Sequence, residues 1–525
     1  MIEKEVDELK LNLDKALEHR EKAEYKLAIE ALYKALDVES DNIVVLTQLA
    51  EIYALMNDIE RSIRYYKDIL EIDENNETAL SALYNKYFSI GKYKDALEYA
   101  QTLVKLSPCD KNYSRLIAVY DKFADVAALK TFVQENRLSS DVLLKIAAAY
   151  VNHAFVDEAL KLLEHIEPCE EKSALQALIY FNKNDLVAAR EIVMPLKIET
   201  VDVLNLKGLF YIEDMKFLEA IKCFSKAVSL EPAEPKFYFN LANAYFYNGW
   251  MEEAVKAYRK AIELDVTNVD YRYALANLYF EIKDYEQARF EVTSIFHIEP
   301  EHYDTKVLNA LLKYAGKDYL GAKADLEEAL KLKPDDTYVL TSLARVLIDL
   351  NLYDKAEDLI LNVIARDSEN PKSLCVLADL FARQKKFSDS LELVDKILCN
   401  SKFYMPAYAV GMKAAFDSDN LDLAKKYAQD ALSVEINFAP AYYYLALISK
   451  KHFDIEEAIE CLKRAIMHDL TNPEYYAEMA RTYMEDDDIK SALEYANEAI
   501  TIDSSSAEYM MLYSDLAAKN RKFAN

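Results

Sequence analysis

The sequence predicts an all-α chain, an α-α superhelix of about 14 to 15 helical hairpins ending in a C-terminal capping helix. Three observations predict it. Glycine and proline are scarce, at six and eleven in 525 residues, too few for the turns of sheets and elaborate loops. Small residues recur at a 34-residue interval. Between them, larger apolar residues such as Leu241, Tyr245, Tyr258 and Ile262 follow helical spacing.

The interval is strictest in the C-terminal part. Ala220, Ala254, Ala288, Ala322, Ala356, Ser390, Ala424, Ala458 and Ala492 form one column. Twelve positions earlier stand Gly208, Ala242, Ala276, Ala310, Ala344, Ala378, Met412, Ala446 and Ala480. Seven positions after the first column come Ala227, Ala261, Ile295, Ala329, Val363, Ile397, Ala431, Ala465 and Ala499. A 34-residue unit holds two helices and two short turns. The first two columns let helix A and helix B of one hairpin approach closely, and the third meets the next hairpin. One hairpin cannot bury both faces, so stacking supplies the core.

Four segments follow. Residues 1–110 read as an N-terminal array of three repeats in the same register, at Ala28, Ser62 and Ala96. Residues 111–199 read as shortened, irregular repeats, with Ala128, Ala159 and Ala189 as the expected column residues. Pro195 falls where helix B would otherwise continue, and these units are expected to change the rotation between hairpins. Residues 200–505 read as nine regular repeats. Residues 506–525 read as the capping helix, with Lys519, Asn520, Arg521 and Lys522 at its solvated end.

Composition excludes several function classes. The chain is 52% hydrophobic, enough for a large core. Its net charge of −28, from 91 acids against 63 bases, repels nucleic-acid phosphates and anionic lipid surfaces. Solubility accounts for that charge, and attraction of basic partners is the alternative. The opening MIEKEVDELKLNLDKALEH reads as an acidic amphipathic helix rather than a secretory signal. No run of about 18 apolar residues suggests membrane insertion. Cys109, Cys169, Cys223, Cys375, Cys399 and Cys461 are dispersed without CxxC spacing, which points to a reducing cytoplasm. There the sequons at Asn76 and Asn112 carry little meaning.

The best single unit, residues 237–268, carries Tyr238, Leu241, Ala242, Tyr245, Gly249, Ala254, Tyr258 and Ala261 at set positions. In these residues and in its three columns the sequence resembles the tetratricopeptide repeat family. The closing proline of that pattern is Val266 here, but appears as Pro232, Pro300 and Pro334 in neighbouring units. The resemblance implies a right-handed superhelix with helix A lining a concave groove where peptides bind. Two specialised ligand codes of the family are absent. The carboxylate clamp of chaperone-binding members would need a lysine where Phe239 stands; Asn243 fits, but Ala274, Asp304 and Leu308 do not. The asparagine ladder of protein O-linked N-acetylglucosamine transferases is matched at Asn240 but not at Ala274, Ser342, Val376 or Tyr444. No glycosyltransferase domain is expected after the terminal helix.

Motifs for catalysis are lacking, so no enzyme activity, cofactor or metal is expected. Gly316 and Gly321 lie close, between helix A and helix B of one repeat, but without the GK[ST] ending of a phosphate cradle. His165 and Cys169 could share a helical face, yet Pro168 should break the helix and further ligands are missing.

The family's groove positions are the second, fifth, ninth and twelfth of each unit. Around the best unit they include Phe239, Asn243, Phe246, Tyr273, Asn277 and Phe280. Aromatic rings supply apolar area and asparagine amides can clamp a peptide backbone. Alternatively, tight curvature buries these rings against neighbouring repeats. Further along, Arg345, Lys413, Lys450 and Arg481 form a stripe for an acidic ligand, or else pair with acids of adjacent hairpins. The sequence thus predicts a scaffold or adaptor for protein or peptide partners, with no nucleic acid. The alternatives are a non-catalytic targeting or assembly subunit of a separate enzyme or secretion complex, and a purely architectural array. Terminal repeats could also self-stack.

Overall fold

The computed structural model describes residues 2–504 and 506–523, with side chains for 7–504 and 506–520. Arg521 and Lys522 of the predicted cap therefore lie outside the described side chains. Among the described residues every regular element is an α-helix, 31 in all, numbered here from α1 (Ile2–Glu21) to α31 (Ala507–Phe523). They pair into fifteen hairpins followed by the single helix α31. The chain divides into two compact units, residues 1–257 and 258–525, with the division inside α16 (Met251–Leu264).

The alanine columns are where helices touch. Ala220, Ala254, Ala288, Ala322, Ala356, Ser390, Ala424, Ala458 and Ala492 expose no surface at all. In the first unit, a Cβ added to Gly208 would stand 2.5–2.9 Å from three ring atoms of Phe224, so this site has no room even for alanine. Where serine replaces alanine, its hydroxyl is satisfied by the facing helix. Ser62 Oγ donates to the Ala50 carbonyl and Ser390 Oγ to the Ala378 carbonyl, each at 2.7 Å. In both cases the acceptor is the second-column residue twelve positions earlier. The third column meets the next hairpin: Ala465 clusters with Tyr475 of the hairpin that follows.

Turns between helix A and helix B repeat one hydrogen-bond pattern. After α17 (Val269–Glu281), Lys283 N–H donates to the Phe280 carbonyl at 3.0 Å and Asp284 N–H to the Tyr279 carbonyl at 2.8 Å. This closes the helix with Lys283 left-handed, φ 63. Asp284 then caps α18 (Tyr285–Ile298), its carboxylate accepting the Gln287 N–H at 3.2 Å. The left-handed position is glycine at Gly91 and Gly249 but Asn351, Lys385, Asp419, Phe453 and Asp487 in later repeats. The chain therefore makes the same turn repeatedly with little glycine.

Two expectations are corrected. The column residue of the fourth hairpin is Leu129, fully buried, and not Ala128, which is part-exposed. Asp125 caps α8 (Val126–Glu135), and the column residue follows the cap by four positions, as Ala288 follows Asp284. Gly321 does not lie between helices: it is inside α20 (Tyr319–Leu332), where its N–H donates to the Asp318 carboxylate at 2.9 Å.

Shortening in the middle of the first unit falls on helix B alone. The A helices α7 (Asp110–Lys122), α9 (Ser140–Asn152) and α11 (Glu170–Asn182) keep 13 residues. Their partners α8, α10 (Val156–Glu164) and α12 (Leu186–Val193) have 10, 9 and 8, against 14 in α18 and α20. Pro195 stands just beyond the end of α12.

The second unit coils back on itself. Lys283 Nζ lies 3.6 Å from the Asp469 carboxylate and donates to Thr471 Oγ1 at 3.1 Å. One repeat later, Lys317 Nζ lies 2.6 Å from the Asp503 carboxylate, 186 residues away in sequence. Lysines 34 apart thus meet aspartates 34 apart. The A–B turns of two consecutive repeats dock on the closing turns of two others, about five and a half repeats further on.

Candidate partner-binding surfaces

Helix A carries the predicted groove residues, three in each unit. In the first unit, α15 (Pro235–Tyr247) holds Phe239, Asn243 and Phe246, all half-buried. The Phe246 ring meets the edge of Tyr247 at 5.5 Å. On the same helix Asn240 Nδ2 donates to the Asn205 side-chain Oδ1 at 2.7 Å, so the side chains of two asparagines in consecutive repeats do meet. Sequence reading missed Asn205, because it sits 35 rather than 34 positions before Asn240.

In the second unit, α17 holds Tyr273, Asn277 and Phe280, also half-buried. The Tyr273 ring contacts the His302 ring at 5.9 Å and Phe280 contacts Tyr285 at 5.7 Å. Among the described residues the Asn277 side chain makes no hydrogen bond. Burial pushes the Tyr273 phenol above its ordinary pKa, with Asp304 and the Tyr338 phenol adding to the rise. The rings are half-buried, Tyr273 resting on the next repeat through His302 and Phe280 on its own hairpin through Tyr285.

The four cations divide. Lys450, on α27 (Ala439–Lys451), reaches the Glu478 carboxylate at 2.5 Å and Glu485 at 3.1 Å. Arg481, on α29 (Pro473–Glu485), binds Glu474 and Glu478 at 2.9 Å and Glu508 at 2.6 Å. Burial opposes the charge on Arg481, but bonds from Glu478 and Glu474 outweigh it and hold its pKa above the ordinary value. These two cations are therefore compensated by acids of their own and the adjacent hairpin.

Arg345 and Lys413 differ. Arg345 lies exposed on α21 (Thr337–Asp349) and Lys413 half-buried on α25 (Met405–Asp417). Neither forms an ion pair among the described residues. Two acids in the surroundings of Arg345, Asp379 and Asp349, are already engaged. Arg383 binds Asp379 at 3.1 Å and Asp349 at 2.9 Å, and Tyr314 also donates to Asp349 at 2.6 Å. Arg345 and Asp379 line a cleft of about 230 Å³ with Cys375, Val376 and Pro406. Burial raises the Cys375 thiol to about 12, partly offset by the Arg345 charge, so this sulfur is an inert packing group.

Among the described residues no three His, Cys, Asp or Glu side chains gather as a metal site, and no helix is long and apolar enough to cross a membrane.

Fold and surfaces together define a helical-hairpin repeat protein. Family models fall on the repeats themselves. Tetratricopeptide repeat models match residues 44–76, 313–372, 439–469 and 473–506, and the model described as anaphase-promoting complex, cyclosome, subunit 3 matches residues 213–295. The chain is a tetratricopeptide repeat protein. No curated protein sequence matches it significantly. Among solved structures it is similar to a chain of "Crystal structure of APC/C hetero-tetramer Cut9-Hcn1", with 14% identity and TM-score 0.41, over 84% of this chain and 96% of that one. It is also similar to a chain of "Structure of Naa15/Naa10 bound to HypK-THB", with 13% identity and TM-score 0.36, over 98% and 96%. A third, "Crystal Structure of the Yeast Tom70", has 16% identity and TM-score 0.40, over 91% and 99%.

Proposed function

We propose that this chain is a non-catalytic scaffold or adaptor of the cytoplasm that holds a protein segment along its helix-A face. One observation carries the reading. In the second unit that face presents half-buried rings beside polar groups left unused by the fold, the Asn277 amide and the Arg345 guanidinium above all. A folded interior satisfies such groups; a binding surface leaves them open for a partner. Tyr273 and Phe280 supply apolar contact at low conformational cost, and Asn277 supplies both a donor and an acceptor for a peptide backbone.

A second reading, a non-catalytic assembly or targeting subunit of a separate enzyme or secretion complex, draws support from the match of residues 213–295 to a repeat model named for a subunit of a larger complex. Affinity purification separates the two. The intact chain is compared with a variant carrying alanine at Phe239, Asn243, Tyr273 and Asn277. Loss of several substoichiometric partners supports the groove scaffold. One stoichiometric enzyme retained by both proteins supports the assembly subunit.

A further inference from the structure

Beside Arg345 the second unit holds another cation that the sequence reading passed over. Lys372, exposed on α23 (Pro371–Arg383), is one repeat further along the same helix-A face. Its ammonium sits over the Tyr338 ring, 5.3 Å from the centroid, and it has no acidic partner among the described residues. A cleft of about 410 Å³ opens there, lined by Thr337, Tyr338, Thr341, Asn370, Lys372 and Tyr404. The charge of Arg345 is felt by Tyr338 and Tyr404, where it partly offsets the rise that burial imposes on both phenols, Tyr404 reaching about 12. Both phenols therefore stay protonated at neutral pH and are donors.

This is an unusual concentration of unspent donors. In a chain with 91 acids and 63 bases, cations near carboxylates are normally compensated, as Lys450 and Arg481 are. Here Asp379 and Asp349 are claimed by Arg383. Asp336 accepts the Tyr303 hydroxyl at 2.8 Å and caps α21. Lys372 and both tyrosines line this cleft, Arg345 lines a second one with Asp379, and Arg345, Glu281 and Asp336 are all close enough to be felt at Tyr338. Resting on the groove reading above, we propose that Arg345 and Lys372, with the Tyr338 and Tyr404 hydroxyls, receive side-chain carboxylates of an acidic stretch in the bound protein segment. The tyrosine ring holds Lys372 in place without consuming its charge. Arg345 offers the planar fork that suits a carboxylate.

The test uses the full chain and two fluorescein-labelled octapeptides with amidated C-termini, one alternating Glu and Ser, the other Gln and Ser. Fluorescence anisotropy should show the Glu peptide binding at least ten-fold more tightly, weakening as salt rises. Each cation is expected to contribute about ten-fold. R345Q/K372Q should therefore erase the preference, while R345K/K372R, which keeps both charges, should retain most of it. Circular dichroism melting of each variant establishes that it is folded. Equal binding of the two peptides, a preference that survives in R345Q/K372Q, or no binding of the Glu peptide would each overturn the proposal. If both peptides bind equally and Y338A abolishes both, the groove reading stands and its acidic preference falls.

Discussion

Reversing charge at Lys283 and Lys317 should loosen the second unit without unfolding it. Each lysine is more than half exposed, 53% and 62%, while its partners Asp469 and Asp503 are 29% and 15% exposed. Exposed pairs contribute about 0.2–1 kcal/mol each, and the sheltered aspartates place these rungs toward the upper end. Two rungs amount to about 1–2 kcal/mol, a five- to thirty-fold bias toward the closed coil. Burial opposes ionisation of Asp469, but the Thr471 hydroxyl and N–H, with Lys283, overcome it and hold its pKa below the ordinary value. For a depressed carboxylate the stabilisation is complete above the unfolded-state pKa and is lost as pH falls through the lowered one. The contact is therefore intact at neutral pH and opens with salt or strong acid. Nitroxides at E286C and L470C, in a background lacking the exposed thiols of Cys109 and Cys399, report the gap by double electron–electron resonance. K283E/K317E and 1 M salt should each lengthen and broaden the distance, and D469K/D503K added to K283E/K317E should restore it. A distribution indifferent to all three would refute the reasoning.

Other substitutions probe the remaining layers. A288L forces a larger side chain into a site with no exposed surface and should cost about 1–3 kcal/mol in urea unfolding, whereas S390A, which removes a hydroxyl bonded to an already helical carbonyl, should cost under about 1 kcal/mol. E478A strips the shared partner from Lys450 and Arg481, which are 13% and 25% exposed but keep Glu485 and Glu474, and should destabilise by about 1–2 kcal/mol, read as a lowered melting temperature. F453G relieves a left-handed phenylalanine, φ 62, whose side chain is 92% exposed, and should stabilise by about 1 kcal/mol.

What was legible in the sequence is the part set by local steric demand. A close helix crossing needs a small residue at a fixed place, so the alanine columns could be read directly, and all nine members of the first proved fully buried. The same logic misled at Ala128, because a short helix B tolerates Leu129 at the crossing and the cap at Asp125 sets the register instead. Pairing of Lys450 and Arg481 with acids of adjacent hairpins was among the sequence expectations, but not which acids, because Glu478 and Glu508 lie 28 and 27 residues away, just short of one repeat. That offset runs from a late position of one helix A to an early position of the next. Lys372 was passed over although it occupies the second groove position, since its significance depends on Tyr338 and on acids spent elsewhere. The meeting of Lys283 with Asp469 was illegible for a different reason. It integrates small rotations over more than five repeats, and no single repeat encodes it.

Helix A, rather than helix B, is proposed to hold the partner. A photo-crosslinking p-benzoyl-phenylalanine placed at Tyr273, on the half-buried helix-A face, is compared with one at Phe290, 64% exposed on helix B of the same hairpin. A covalent adduct with the purified partner is expected from position 273 and none from 290. Adducts from 290 with none from 273 would contradict it.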